Sequence, residues 1–410
     1  MVPLGPFEPA PHLAVAVSGG ADSLALALLA RDWAGAAGGM VTGLVVDHGL
    51  RPASADEARL TLRRLAGIGI AARLLVLEGL ARGPGLAARA RTARYAALEG
   101  ACRQAGILHL LLGHHAADQA ETVAMRLLAR SGPAGLAGMA ALAETEAVRL
   151  LRPLLTVPPA RLRATLRAAG LDWVEDPSNA DPAAARARLR LLRADRGGTG
   201  PATRALVAAA RLRGAARAGA ECTAAGELAA RARLHPEGFA VLTPGPIGAT
   251  ALGALLRMLG GQAHAPSPRQ LAVLAANPRP ATLAGVYLLP AGRTGPPGAL
   301  LLVREPAALA APVAAQPGAR WDGRFALAAD ATPPASAMLG ALGRDAARFA
   351  DRRHWPAAVL RALPALWANA NLFAVPQIGY PDATTCRRVA LAFRPAAPAC
   401  GAPFAAAGQL

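Results

Sequence analysis

His12-Leu-Ala-Val-Ala-Val-Ser-Gly-Gly-Ala-Asp-Ser-Leu-Ala-Leu26 is the stretch whose reading decides the fold. The apolar run Leu13 to Val17 stops abruptly at Ser18-Gly-Gly-Ala-Asp-Ser23, and Leu24, Leu26, Leu28 and Leu29 follow in an alanine-rich background. That order predicts a buried strand, a tight turn and a buried helix. At such a junction backbone N–H groups and a helix N-terminus can hold phosphates. Gly19 and Gly20 permit close approach of an anion and positive φ. The hydroxyls of Ser18 and Ser23 can add hydrogen bonds, and Asp22 stands where it can help hold a metal near the phosphates. A glycine turn alone is equally a helix cap without a ligand. The six-residue string is more specific: it is neither a Walker loop, which needs Gly-Lys-Ser/Thr, nor the three-glycine dinucleotide fingerprint.

Outward from this stretch, strands alternate with helices. Val41 to Asp47-His48 reads as a second buried strand, and Ser54 with Glu57 reads as a capping box opening a helix. Arg73 to Leu77 is a third strand, Leu86 to Gln104 a helix, and Ile107 to Gly113 a fourth strand leading into His114-His115 and a helix to about Ala129. This alternation predicts an α/β, doubly wound parallel sheet. Ligands collect beyond the carboxyl ends of such strands, so Ser18–Ser23, Asp47–His48 and His114–His115 should converge.

Three further stretches bear on chemistry. Arg91 and Arg94 are three apart and share a helix face, as solvated arginines also do. Asp118 and Glu121 stand in a first helical turn just after the two histidines, where acids also complement the helix dipole. A His/Asp/Glu metal centre there is the less favoured reading. Trp173-Val-Glu-Asp-Pro-Ser-Asn-Ala-Asp181 precedes Arg186, Arg190 and Arg193 at helical spacing, a basic stripe suited to phosphate backbone or to plain solvation.

The 410 residues carry 44 basic against 26 acidic side chains, net +18, and every basic residue is arginine. Such a balance is the footprint of a polyanion binder, with compositional drift as the competing explanation. Cys102, Cys222, Cys386 and Cys400 form no C-x-x-C, which disfavours a disulfide framework, a zinc ribbon or an iron–sulfur site and fits reduced thiols in the cytoplasm. No cationic segment precedes the first apolar run, so a signal peptide is not expected. Prolines and glycines interrupt the uncharged stretch from Phe239 to Leu256, so no membrane span is expected.

The order SGGADS, VDHGLR, ARARTARY, HHAADQAET, RSGPAGLAGM, RPLL and EDPSNADP resembles the tRNA(Ile)-lysidine synthetase family, within the N-type ATP pyrophosphatases of the PP-loop superfamily. The likeness covers roughly residues 12–195 and continues loosely to Pro364-Ala-Leu-Trp367 and Ala374-Val-Pro376. It implies an adenine nucleotide α-hydrolase-like sheet at 1–195, a mainly helical tRNA-contacting domain at 196–280, and a small mixed domain at 281–410 with a poorly ordered tail. The implied reaction uses ATP and Mg²⁺ to adenylate the C2 oxygen of the wobble cytidine in the CAU anticodon of a minor isoleucine tRNA. The amine of free L-lysine then displaces AMP.

Carried over by residue, Ser18, Gly19, Gly20, Ala21, Asp22 and Ser23 would hold the ATP phosphates, with Asp47, His48 and Arg51 near the nucleotide. Asp22, His114, Asp118, Glu121 and Arg94 would be catalytic. Arg91, Thr122, Asp176, Asn179, Asp181, Arg186 and Arg190 would border the lysine and tRNA sites. No dedicated metal centre and no membrane partner are implied, and a homodimer is left open. Two departures stand out: Ala117 occupies a position where the family usually shows a second acid before Gln119, and residues 183–185 are all alanine where it shows an aromatic. The rival readings are another PP-loop tRNA-modifying enzyme, such as a cysteine-independent thiolase, and a catalytically degenerate tRNA-binding protein.

Overall fold

A computed structural model describes residues 1, 4–50, 53–80, 83–174, 189, 195, 197–349 and 355–407. Two units result: Met1–Gly219 together with Ala402–Leu410, and Ala220–Gly401. This division does not fall at the expected 195/196 and 280/281 boundaries.

Unit 1 is built on a six-stranded sheet: β1 (His12–Ala16), β2 (Met40–Asp47), β3 (Ala71–Val76), β4 (His109–Leu111), β5 (Leu142–Glu144) and β6 (Arg149–Leu151), in the order β3-β2-β1-β4-β6-β5. All neighbours pair parallel except the β5–β6 hairpin. The helices are α1 (Ala21–Ala36), α2 (Ser54–Gly67), α3 (Leu86–Gln104), α4 (Ala116–Leu128) and α5 (Pro159–Ala168). The doubly wound expectation holds for β1 to β4; β1, β2 and β4 are largely buried, whereas the edge strand β3 is largely exposed. The short hairpin from 142 to 151 is an addition that the sequence analysis did not separate from loop.

β1 lies between β2 and β4, with Leu13 opposite both Val41 and His109. Strand order therefore reverses at β1, and a crevice opens beyond its carboxyl end. Leu13, Val15, Leu24, Leu26 and Leu28 are buried on one side with Leu65, Leu151 and Leu162. Leu44, Leu98, Leu110 and Leu150 fill the other. Two covered faces explain why these strands lack a polar alternation.

The chain returns to unit 1 at its C-terminal end. Ala141 N–H donates to the carbonyl of Ala405 at 2.7 Å, Phe404 and Ala406 pack with Ala137, and the Arg217 guanidinium sits 4.5 Å from the centre of the Phe404 ring. Phe404, Ala406 and Ala407 are buried within unit 1, at the end of the chain where the resemblance implies a poorly ordered tail. The long helix α6 (Pro201–Arg231) contributes its first part to unit 1.

Unit 2 contains a five-stranded sheet of order β7-β8-β11-β10-β9, formed by β7 (Ala232–His235), β8 (Phe239–Leu242), β9 (Ala281–Leu283), β10 (Val286–Pro290) and β11 (Leu300–Arg304). It joins strands from both sides of residue 280, which is why no boundary falls there. The β7–β8 hairpin interrupts the helical stretch expected over 196–280, because Phe239 to Leu242 is wholly buried and pairs with β11. Smaller antiparallel sheets of four and three strands complete the unit.

Candidate active site

The loop after β1 is shaped by its own hydroxyls. Ser23 Oγ donates to the carbonyl of Gly20 at 3.0 Å and accepts the N–H of Ser18 at 3.1 Å, with the Ser18 hydroxyl 3.2 Å away. Ser23 is buried, so its hydroxyl builds the turn, while Ser18 faces solvent. Gly19 has φ +86°, and a Cβ there would lie 2.5 Å from Thr61 Oγ1 on α2. Glycine is required at that position by both conformation and space. Gly20 then caps α1 without any side chain, leaving the first N–H groups of the helix for a ligand.

Gly113, at the end of β4, presses on this loop: a Cβ there would come within 3.1–3.3 Å of the Asp22 and Ser23 backbone. The next residues therefore meet the loop directly. His115 caps α4, its Nδ1 accepting the Asp118 N–H at 3.4 Å while Asp118 Oδ2 accepts the His115 N–H at 3.0 Å. The other ring nitrogen, Nε2, lies 3.4 Å from Asp22 Oδ2. If Nδ1 accepts, Nε2 carries the proton and points it at the Asp22 carboxylate. Oδ1 of Asp22 is buried, with no hydrogen-bond partner among the described residues.

An unpartnered carboxylate oxygen beside an anion-binding turn fits Mg²⁺, which takes one or two carboxylates and completes its shell with water and phosphate oxygens. Among the described residues, no group of three or more His, Cys, Asp or Glu could form a separate metal cage.

His114 is half-buried, and its Nδ1 has no hydrogen-bond partner. Burial is the chief cause that pushes its pKa down to about 4; Asp118 opposes the shift, while Arg152, Arg91 and Arg94 add to it. The imidazole is therefore neutral near pH 7. Glu121 is 1% exposed and Thr122 is buried, its hydroxyl donating to the Asp118 carbonyl at 2.8 Å. α4 is fixed by the following string: Gln119 Nε2 donates to the Met139 carbonyl and its Oε1 accepts the Met139 N–H, while Arg126 donates to the carbonyls of Gly135 and Gly138.

On α3, Arg91 donates to Tyr95 Oη at 3.2 Å, and Arg91 and Arg94 lie 4.9 and 5.7 Å from the centre of the Tyr95 ring. Arg91, Thr92, Tyr95, Glu99 and Arg152 line a cavity of about 480 Å³. Arg152 donates to the Ala140 carbonyl at 2.9 Å, and burial lowers its pKa.

Sequence reasoning placed Asp22, His114, Asp118, Glu121, Thr122, Arg91 and Arg94 at this crevice, and the strand order brings their elements to one end of the sheet. Asp47 is tied into its own turn. Its carboxylate accepts Ser54 Oγ at 2.6 Å and the Gly49 N–H at 3.0 Å, and those two bonds hold its pKa below the usual carboxylate range. The hydroxyl of Ser54 is drawn to this carboxylate, so it caps nothing: α2 starts after Ala53 with no side-chain cap. His48 Nδ1 accepts the Leu50 N–H at 3.1 Å. The convergence expected of His114–His115 includes His115, though without a role; sequence reasoning missed Tyr95 and Arg152 as site residues, whose only signal was their place within ARARTARY and RPLL. Arg51, Asp176, Asn179, Asp181, Arg186 and Arg190, also expected near the nucleotide, lysine or tRNA, lie outside the described residues. The described chain reaches the edge of that stretch beside the loop, where Val174 N–H donates to the Gly19 carbonyl at 3.0 Å.

The PP-loop domain family model matches residues 4–194. The tRNA(Ile)-lysidine synthase of Ruegeria pomeroyi is 34% identical over 394 residues, covering 92% of this chain and 91% of that protein. The chain belongs to the tRNA(Ile)-lysidine synthase family. The tRNA(Ile)-lysidine synthase of a Bradyrhizobium species is 46% identical over 189 residues, which is 46% of this chain and 53% of that protein. The chain thus spans about half the length of the first such relatives it matches. A solved U34-tRNA thiolase from Methanococcus maripaludis overlays 52% of this chain and 76% of its own at a TM-score of 0.42 and 18% identity. Within the lysidine synthase family frame, Ala117 is 8% exposed, and a Cβ on Gly198 would meet it at 3.4 Å. No helix among the described residues is long and apolar enough to cross a membrane.

Proposed function

We propose that this chain joins L-lysine to C2 of the wobble cytidine in the CAU anticodon of a minor isoleucine tRNA at the expense of ATP. The product reads AUA in place of AUG. One observation carries the reading: in a chain of this family, Asp22 presents a buried oxygen with no hydrogen-bond partner among the described residues at the first turn of α1, while His115 Nε2 stands 3.4 Å from its other oxygen. That arrangement suits the triphosphate of ATP lying across the crevice.

The chemistry follows in two displacements. The cytidine C2 oxygen attacks the α-phosphorus of ATP, the α–β phosphoanhydride bond breaks, and pyrophosphate leaves. The loop N–H groups and the N-terminus of α1 stabilise the negative charge that builds on that leaving group. Mg²⁺, which Asp22 would hold, adds charge neutralisation there. The lysine amine then attacks C2, the C2–O bond breaks, and AMP leaves. The amine must be neutral to attack. Asp118 and Glu121 are the carboxylates at hand to bind its ammonium form and take the proton. Arg91, Arg94 and Arg152 supply positive charge for nucleotide phosphates on the α3 side. Net charge +18 suits a tRNA partner, and our reading assigns the reaction to the cytoplasm.

The test is incorporation of labelled L-lysine into isoleucine tRNA of CAU anticodon, with ATP and Mg²⁺ present and with each omitted. Incorporation that requires both is expected. tRNA binding without incorporation would replace the proposal with a degenerate binder.

A further inference from the structure

Unit 2 holds a second cavity, of about 770 Å³, at the β7–β8 turn. Its walls come from separate segments: His235 and Glu237 in the turn, Gln377, Arg387 on the short helix Ala383–Arg388, and Leu391 and Phe393 on the strand Leu391–Phe393. His235 is held face to face on Phe239 at 4.1 Å and edge-on to Trp355 at 6.0 Å. Gln377 is oriented by its Nε2, which donates to the Leu391 carbonyl at 3.3 Å.

Among the described residues, three polar atoms of this lining have no hydrogen-bond partner: His235 Nε2, Glu237 Oε2 and Gln377 Oε1. They belong to two segments about 140 residues apart in sequence, so no single turn geometry accounts for the set. Buried polar groups without partners are rare in folded chains. Two of the three are acceptors only, so the complement must bring hydrogen-bond donors, which an exocyclic amino group supplies in pairs. The apolar surface of Pro376, Leu391 and Phe393 asks for a flat apolar body, and the exposed guanidinium of Arg387 at the rim suits a phosphate.

We propose that this cavity binds a nucleotide whose base is unpaired and carries an exocyclic amino group, with the base amino group on Glu237 and Gln377 and its phosphate on Arg387. The base can come from a free mononucleotide or from the bound RNA; only the second source rests on the tRNA reading above. Uracil, which presents a carbonyl where cytosine presents an amine, would face Glu237 and Gln377 with acceptor against acceptor.

Equilibrium dialysis of the full chain and of its Asp22→Ala variant with labelled AMP, CMP, GMP and UMP tests the site. The amino-bearing nucleotides are expected to bind at least about tenfold more tightly than UMP. That preference should vanish in Glu237→Leu and Gln377→Leu and persist in Asp22→Ala. Filter binding of isoleucine tRNA forms the second arm: a tenfold loss in Glu237→Leu and in Arg387→Ala marks the base as part of the RNA, whereas unchanged tRNA binding marks a free nucleotide. Arg387 is exposed, so its variant keeps the test sound if a wall variant misfolds. Indifference to Glu237, Gln377 and Arg387 in both arms overturns the proposal. Failure of the unaltered chain to bind tRNA overturns the tRNA reading alone, and the dialysis arm still decides the site.

Discussion

His115 Nε2 lies 3.4 Å from Asp22 Oδ2, across the crevice between the ends of β4 and β1. The same imidazole caps α4 through Nδ1, so one side chain ties the aim of the Asp22 carboxylate to the start of the helix that carries Asp118 and Glu121. His115 is thus a positioning residue, acting through Asp22.

His115→Phe should leave the fold intact and raise the Mg²⁺ concentration needed for half-maximal ATP–pyrophosphate exchange, by about 10–100-fold if it behaves as such outer partners of metal ligands do. His115→Gln should recover part of the loss. A Mg²⁺ titration of both variants checks this; a lower rate with unchanged Mg²⁺ dependence would assign His115 to capping alone.

Gly19→Ala should destabilise the chain by about 1–3 kcal/mol, because alanine is disfavoured at φ +86° and its Cβ would meet Thr61 Oγ1 at 2.5 Å. The pair Gly19→Ala/Thr61→Ala removes the collision and keeps the backbone strain. It should regain only part of the stability, as measured by urea unfolding, and stay weak in ATP binding.

The folded pKa of His114, pushed down to about 4 mainly by burial, lies below the ordinary 6.5. The unfolded chain then binds more protons between those values. The resulting contribution to stability is complete above pH 6.5 and declines as pH falls through about 4. Urea midpoints from pH 4 to 8 should show this slope flattened in His114→Phe. An NMR titration should find no protonation of His114 above pH 5.

Ala117→Asp, which restores the carboxylate usual in the family, should cost at least about 1–3 kcal/mol, since the position is 8% exposed. No gain in lysine incorporation is expected. A rate increase would show that this acid is missing from the chemistry.

In unit 2, Asp322 accepts from Arg304 at 2.9 and 3.0 Å and from Arg324 at 2.7 Å, all three being buried. Burial pushes the Arg324 pKa down to about 10, against the pull of Asp322. Asp322→Ala leaves two buried guanidinium groups without their anion and should cost about 3–5 kcal/mol. Thermal unfolding of the full chain checks it.

Much of unit 1 was legible because its signals are local. A β-rich apolar run, a Gly-Gly turn and an apolar helix start leave little choice of element, and strand–helix alternation leaves few topologies. Ser54 shows where local reading failed. The Ser54/Glu57 spacing matches a capping box, but a charged acceptor seven residues earlier in sequence, Asp47, competes for the hydroxyl and wins. The β7–β8 hairpin was hidden for a similar reason: its wholly buried strand is paired to β11, some sixty residues downstream.

The sequence by itself determined the anion-binding turn, the parallel sheet around it and the residue types at the ends of β1 and β4, because each depends on neighbours within one strand–turn–helix unit. Only the tertiary structure decided which carboxylate oxygen stays unpartnered, that His115 rather than His114 holds Asp22, that Asp47 is committed to Ser54, and that the C-terminal residues return to unit 1. These depend on distances between segments remote in sequence, which hydrophobic periodicity and spacing do not encode.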